Sequence, residues 1–87
     1  MNFKNLEIAI NAQKTNEDAV IILRNGDFYE AYGVSAYRLA DCTDTGLVNY
    51  DNYGLKIPYA AFPFPSIDIV LPRLIKGGYK VIITDGE

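Results

Sequence analysis

The chain has no histidine, no tryptophan and a single cysteine in 87 residues. Without histidine, imidazole acid–base catalysis and the usual zinc sites are excluded. A lone thiol, Cys42, forms no internal disulfide and holds no metal cluster. It is read instead as a small core residue, because free cysteine is usually buried. No Gly-x-x-x-x-Gly-Lys phosphate loop occurs, and nothing pairs a nucleophile with a base. Asp27, Glu30, Asp41, Asp44 and Asp51 show no metal-binding or acid–base spacing and are assigned to caps, turns and solvated faces. No enzyme activity, cofactor or metal is therefore expected. No apolar run approaches the ~18 residues of a membrane span. The opening Met-Asn-Phe-Lys-Asn-Leu-Glu also lacks the apolar core of a signal peptide, so a soluble, cytoplasmic protein is expected. Positive charge is scarce as well: eight Lys and Arg stand against eleven Asp and Glu, a net charge of −3. Duplex DNA is held largely by neutralising phosphates, and these cations are scattered from Lys4 to Lys80.

What the chain does have is a strong hairpin signal. Val20 to Leu23 is a β-branched apolar run of strand length, and Asn25-Gly26 follows, the dipeptide that best accommodates a two-residue turn with positive φ. Residues 19–24 and 27–32 are thus expected to pair antiparallel through Asn25-Gly26. Along the second strand alternate residues point to opposite faces. An unpaired buried charge is costly, so Tyr29 and Ala31 are assigned to the core, with Phe28 and Glu30 together on the exposed side.

Around this hairpin, residues 4 to 14 read as a helix with a stripe of Phe3, Leu6, Ala9, Ile10 and Gln13. Val34 to Cys42 reads as a second helix that buries Val34, Tyr37 or the Arg38 stem, and Cys42. Leu47 to Tyr50 and Leu55 to Ala61 read as strands joined by the turn-forming Asp51-Asn52-Tyr53-Gly54. Pro58 marks an edge or a bulge, since it has no N–H for a ladder. Ser66 is a plausible N-cap for a third helix with Ile67, Val70, Leu71, Leu74 and Ile75 on its apolar face. Pro72 either kinks that helix or falls in its first turn. Tyr79 to Thr84 is a last strand. The fold class expected is α+β (α/β): one domain, residues 1–87, with three helices packed on a mixed sheet of about five strands.

Two segments carry a family resemblance. Gly26-Asp27-Phe28-Tyr29-Glu30 resembles the start of the mismatch-recognition domain (domain I) of the DNA mismatch-repair protein MutS. Ile57-Pro58-Tyr59-Ala60-Ala61-Phe62-Pro63-Phe64 resembles that family's later Ile-Pro-x-Ala-Gly-x-Pro-Tyr segment. The resemblance implies that Phe28 wedges beside a mispaired base and that Glu30 hydrogen-bonds to it, with Arg24 and Lys56 as candidate DNA contacts. The implied ligand is mismatched or distorted duplex, bound in concert with other protein chains or domains. Physically, an apolar wedge partly unstacks a base step, and a mismatch is where unstacking costs least. Leu47 to Asp51 lacks the basic residues common in that family. This departure, with the acidity, supports an alternative: an interaction or regulatory module that keeps the fold without DNA binding. Tyr50, Tyr53 and Tyr59 are expected to be exposed, suited to base stacking or to a protein interface.

Overall fold

The computed structural model describes residues 3–52 and 54–86. Its elements follow the expected order: α1 (Phe3–Thr15), β1 (Ala19–Asn25), β2 (Phe28–Tyr32), α2 (Val34–Cys42), β3 (Leu47–Asn52), β4 (Leu55–Pro63), a 3-10 turn (Phe64–Ser66), α3 (Ile67–Lys76) and β5 (Lys80–Asp85). The five strands form one mixed sheet in the order β3-β4-β2-β1-β5. Only the β1–β5 pair is parallel among these neighbours.

The apolar run of β1 explains the layering. Val20 and Ile22 point to one face with Tyr29, Ala31, Phe62, Leu39 and Leu74, beneath α2 and α3. Ala19, Ile21 and Leu23 point to the other with Ala9 and Tyr32, beneath α1. A strand buried on both faces needs a continuous apolar run rather than an alternating one, and Ala19 to Leu23 supplies it.

The hairpin is present, but its loop lies one residue later than expected. Asn25 pairs with Phe28, so the two loop residues are Gly26 and Asp27. Gly26 takes φ +61°, a left-handed conformation open to glycine at little cost; Asn25 belongs to the strand.

Helix α1 keeps Leu6, Ala9 and Gln13 of the expected stripe against the sheet, but not its other two members. Phe3 and Ile10 are exposed, while Asn5 and Ala9 are buried, with Leu6, Ile8 and Ala12 packed beside them. In α2 the buried residues are Ser35, Ala36 and Leu39; Val34 and Tyr37 are exposed. Cys42 is half-buried against the core. The small Ser35 and Ala36 bring α2 close to the sheet. There Ser35 Oγ accepts the Ile21 N–H at 2.8 Å and donates to Gln13 Oε1 at 2.5 Å. One buried hydroxyl thus ties β1, α2 and α1 together.

Proline placement corrects one expectation and narrows another. Pro58 lies in β4, which is flanked by β3 and β2 and is not an edge. Its carbonyl accepts from Gly33 N at 2.9 Å. The N–H and C=O of one strand residue point to the same side, so the donor that Pro58 lacks would face the point where β2 has ended. Pro72 sits within α3, which begins at Ile67, beyond the first turn. It removes the intrahelical donor to the Asp68 carbonyl, and both residues are exposed to water. Ser66 precedes α3 but makes no side-chain cap. Among the described residues no helix is long and apolar enough to cross a membrane.

Candidate nucleic-acid interface

The hairpin loop presents Phe28 at one end of the sheet, and three contacts fix its mount. Phe64 N donates to Asp27 O at 2.8 Å, fastening the end of β4 to the loop. Arg24 Nε donates to Gly26 O, also at 2.8 Å. The Arg24 guanidinium then lies 3.5 Å over the Phe64 ring centroid, with the Tyr29 ring further off. Tyr29 and Phe64 in turn contact each other, with centroids 5.6 Å apart. Phe28 itself is 50% exposed, paired across the sheet with Asn25 and Pro63. Tyr29 is buried on the opposite face, as expected.

Glu30 overturns the expectation of a solvated carboxylate. It shares the face of Phe28 but is only 5% exposed, because α1 covers this part of the sheet. Its charge has partners there. Asn5 Nδ2 donates to Oε1 at 3.1 Å, and the Tyr59 hydroxyl donates to Oε2 at 2.5 Å, within the range of a charge-assisted bond. Tyr59 faces Tyr32 across the β2–β4 ladder while Glu30 faces Ala61. The Tyr59–Glu30 bond is therefore a diagonal cross-strand contact, within reach of an aromatic side chain.

The Tyr32 hydroxyl is buried beside the same carboxylate without a well-formed hydrogen bond of its own. Burial first, then the Glu30 charge, pushes the Tyr32 phenol well above the usual tyrosine range. Burial and the hydrogen bond to Glu30 do the same to Tyr59. The rings of Tyr32, Tyr59 and Tyr50 pack edge to face, Tyr32–Tyr59 at 5.2 Å and Tyr50–Tyr59 at 5.0 Å.

Beyond the cover of α1 the same face stays open. Ladder register and alternation place Phe28, Pro63, Ala61, Tyr59, Val48 and Tyr50 on it. Of these, Phe28, Pro63, Val48 and Tyr50 are exposed. Tyr59 is half-buried, contrary to expectation, and Tyr53 lies outside the described residues.

The structure does not gather the candidate cations around Phe28. Arg24 is turned to the other face, where it braces the loop. Lys56 is seven residues along β4 from Pro63, the partner of Phe28, or about 23 Å at ~3.3 Å per residue. It lines an apolar groove of about 620 Å3 with Leu6, Ile10 and Ile57. Arg73 pairs with Asp44 at 3.5 Å. Sequence reasoning missed Asn5 altogether, and it singled out Tyr59 for stacking or an interface rather than as the partner of Glu30. The signal available was Asn5 in helical register with the small Ala9 and Ala12, and Tyr59 two positions from Ala61.

A family model described as MutS domain I matches residues 9–87. The chain belongs to the MutS domain I family. Three relatives, each named DNA mismatch repair protein MutS, illustrate the match. That of Methanococcoides burtonii is 43% identical over 77 residues, covering 86% of this chain and 9% of the relative. That of Christiangramia forsetii is 40% identical over 68 residues, covering 78% and 8%. That of Bacteroides fragilis is 35% identical over 77 residues, covering 87% and 9%. The chain thus spans less than a tenth of the length of these relatives. In this MutS domain I, Phe28 stands exposed at the open end of the sheet, and the Glu30 carboxylate lies enclosed two residues behind it.

Proposed function

We propose that this MutS domain I is the mismatch-recognition module of a DNA-repair protein. In this reading Phe28 enters a mispaired or distorted base step, and Glu30 is the hydrogen-bond partner of the displaced base. The observation that carries the reading is the exposed Phe28 on a loop braced by Arg24 and Phe64. A wedge must resist deflection if it is to unstack a base, and Arg24 serves that purpose from the opposite face. Residues 1–87 act as one recognition domain without catalytic chemistry. With net charge −3 and its cations dispersed, the domain contributes discrimination, while other domains or chains supply most of the affinity for the duplex. Titrations with matched, mismatched and single-stranded DNA at low salt test this. Mismatched duplex is expected to bind more tightly than matched, and Phe28→Ala is expected to abolish the difference. Equal binding of the two duplexes by the unaltered chain would refute the proposal.

One observation favours a second reading. Asp27 and Glu30 are the charges beside Phe28 in sequence, and Arg24 is turned away from that face. An acidic protein-interaction module would present the same features. Under that reading no DNA binds even at low salt, and the exposed Phe28, Pro63, Val48 and Tyr50 face contacts a protein instead.

A further inference from the structure

Both oxygens of the Glu30 carboxylate are already hydrogen-bonded in the free chain. One oxygen accepts from Asn5 and the other from Tyr59, and the side chain is all but closed to solvent. Phe28 lies two residues away on the same strand face, about 7 Å along the strand. A base displaced by Phe28 therefore arrives beside Glu30 but meets a carboxylate that is closed to solvent and bonded inward through both oxygens. To reach the base, the buried Glu30 side chain must turn outward, and that movement gives up one of its two partners. Of the two, Tyr59 makes the shorter bond and stands on the open side of the sheet, next to the exposed Tyr50. Asn5 sits under α1.

We infer that Tyr59 is a positioning residue that holds Glu30 in reserve, so that base recognition proceeds by exchange of the Tyr59 hydroxyl for the displaced base. This inference rests on the mismatch-recognition reading above. Matched duplex keeps its bases stacked, never reaches Glu30 and leaves the Tyr59 bond intact. Mismatched duplex must break that bond, so Tyr59 lowers mismatch affinity and sets how much distortion is needed before Glu30 takes part. The adjacent Tyr32 hydroxyl, buried beside the carboxylate without a well-formed hydrogen bond, offers it a further donor. The free and bound arrangements therefore differ by a local rotation of Glu30 and no refolding of the sheet.

Tyr59→Phe tests the inference, because it keeps the ring contacts with Tyr32 and Tyr50 and removes only the hydroxyl. Affinities for a mismatched and a matched duplex are read from NMR titrations of the 87-residue chain carrying Tyr59→Phe, Glu30→Ala or both. Tyr59→Phe is expected to tighten mismatched binding about tenfold, the scale of one hydrogen bond to a charged group, and to leave matched binding within about twofold. Adding Tyr59→Phe to Glu30→Ala is expected to change nothing further. In the unaltered free chain the Tyr59 hydroxyl proton should resonate far downfield with slow exchange. That signal should vanish on adding mismatched, but not matched, duplex. Unchanged or weaker mismatched binding by Tyr59→Phe overturns the inference, as does an equal gain in the Glu30→Ala background. If the unaltered chain binds both duplexes alike, the recognition reading falls and takes this inference with it. Failure of Tyr59→Phe against a discriminating chain removes the inference alone.

Discussion

Removing the Tyr59 hydroxyl should also reveal itself in the stability of the free protein, with a sign that changes with pH in a defined way. Tyr59→Phe leaves the buried Glu30 with Asn5 as its remaining mapped donor. A hydrogen bond to a charged group contributes ~1.5–3 kcal/mol net, so a loss of about 2 kcal/mol is expected at pH 8. With a urea m-value near ~1 kcal/mol/M for a chain this short, the unfolding midpoint should fall by about 2 M. Alkaline pH narrows the gap. In the folded state the Tyr59 phenol titrates above its unfolded value of 10.0. Its contribution is therefore whole below about pH 10 and is lost as pH rises further, since the unfolded chain gives up the proton first. At pH 11 a fully shielded phenol would have lost about 1.4 kcal/mol of its contribution; Tyr59 is half-buried, so a loss of about 1 kcal/mol is the better figure. Phenylalanine does not titrate. The difference between the two proteins should thus shrink from about 2 to about 1 kcal/mol between pH 8 and pH 11, read by far-UV circular dichroism in urea. A difference below about 0.5 kcal/mol at pH 8, or one that grows with pH, would refute the reasoning.

Other substitutions separate recognition from folding. Phe28→Ala should cost less than about 1 kcal/mol in urea unfolding, because half the ring is already in water, yet should abolish mismatch preference while weak matched binding persists. Glu30→Ala should relax discrimination and tighten matched binding in the same titrations, by removing a charge that repels phosphate. Gly26→Ala should lose roughly 1–2 kcal/mol from the left-handed conformation alone, since no atom lies within 4 Å of the added Cβ; Gly26→Asn should lose less. Arg24→Ala should lower stability by about 1 kcal/mol through the lost stacking on Phe64 and leave the salt dependence of DNA binding unchanged. A shallower salt slope would show Arg24 touching phosphate after all.

Element order was legible because each element carries a local signal. The Ala19–Leu23 run, the glycines that close strands and helices, and the apolar spacing of α3 all act within a few residues. The hairpin was legible, but its loop was displaced by one residue. Asn25-Gly26 and Gly26-Asp27 both satisfy a two-residue turn, and the choice between them is made by pairing with β4, which places Phe28 opposite Pro63. Pro58 misled for a related reason. The rule that proline avoids central strands concerns the missing donor, and the absent N–H faces a place where the neighbouring strand has already stopped.

The fate of Glu30 shows where local reasoning ends. The premise was sound: a charge without partners is not buried. What sequence could not show is that partners arrive from 25 residues before and 29 residues after, through Asn5 and Tyr59. Once α1 packs on this face to cover Ile21 and Leu23, the β2 position beside them is enclosed whatever residue it holds. A glutamate survives there because the covering helix presents an amide and the next strand presents a phenol. Phe28, two residues earlier, lies past the end of that cover and stays exposed. The same strand face thus carries an aromatic ring in solvent and an enclosed carboxylate, and the difference between them is made by the reach of α1 rather than by their own side chains.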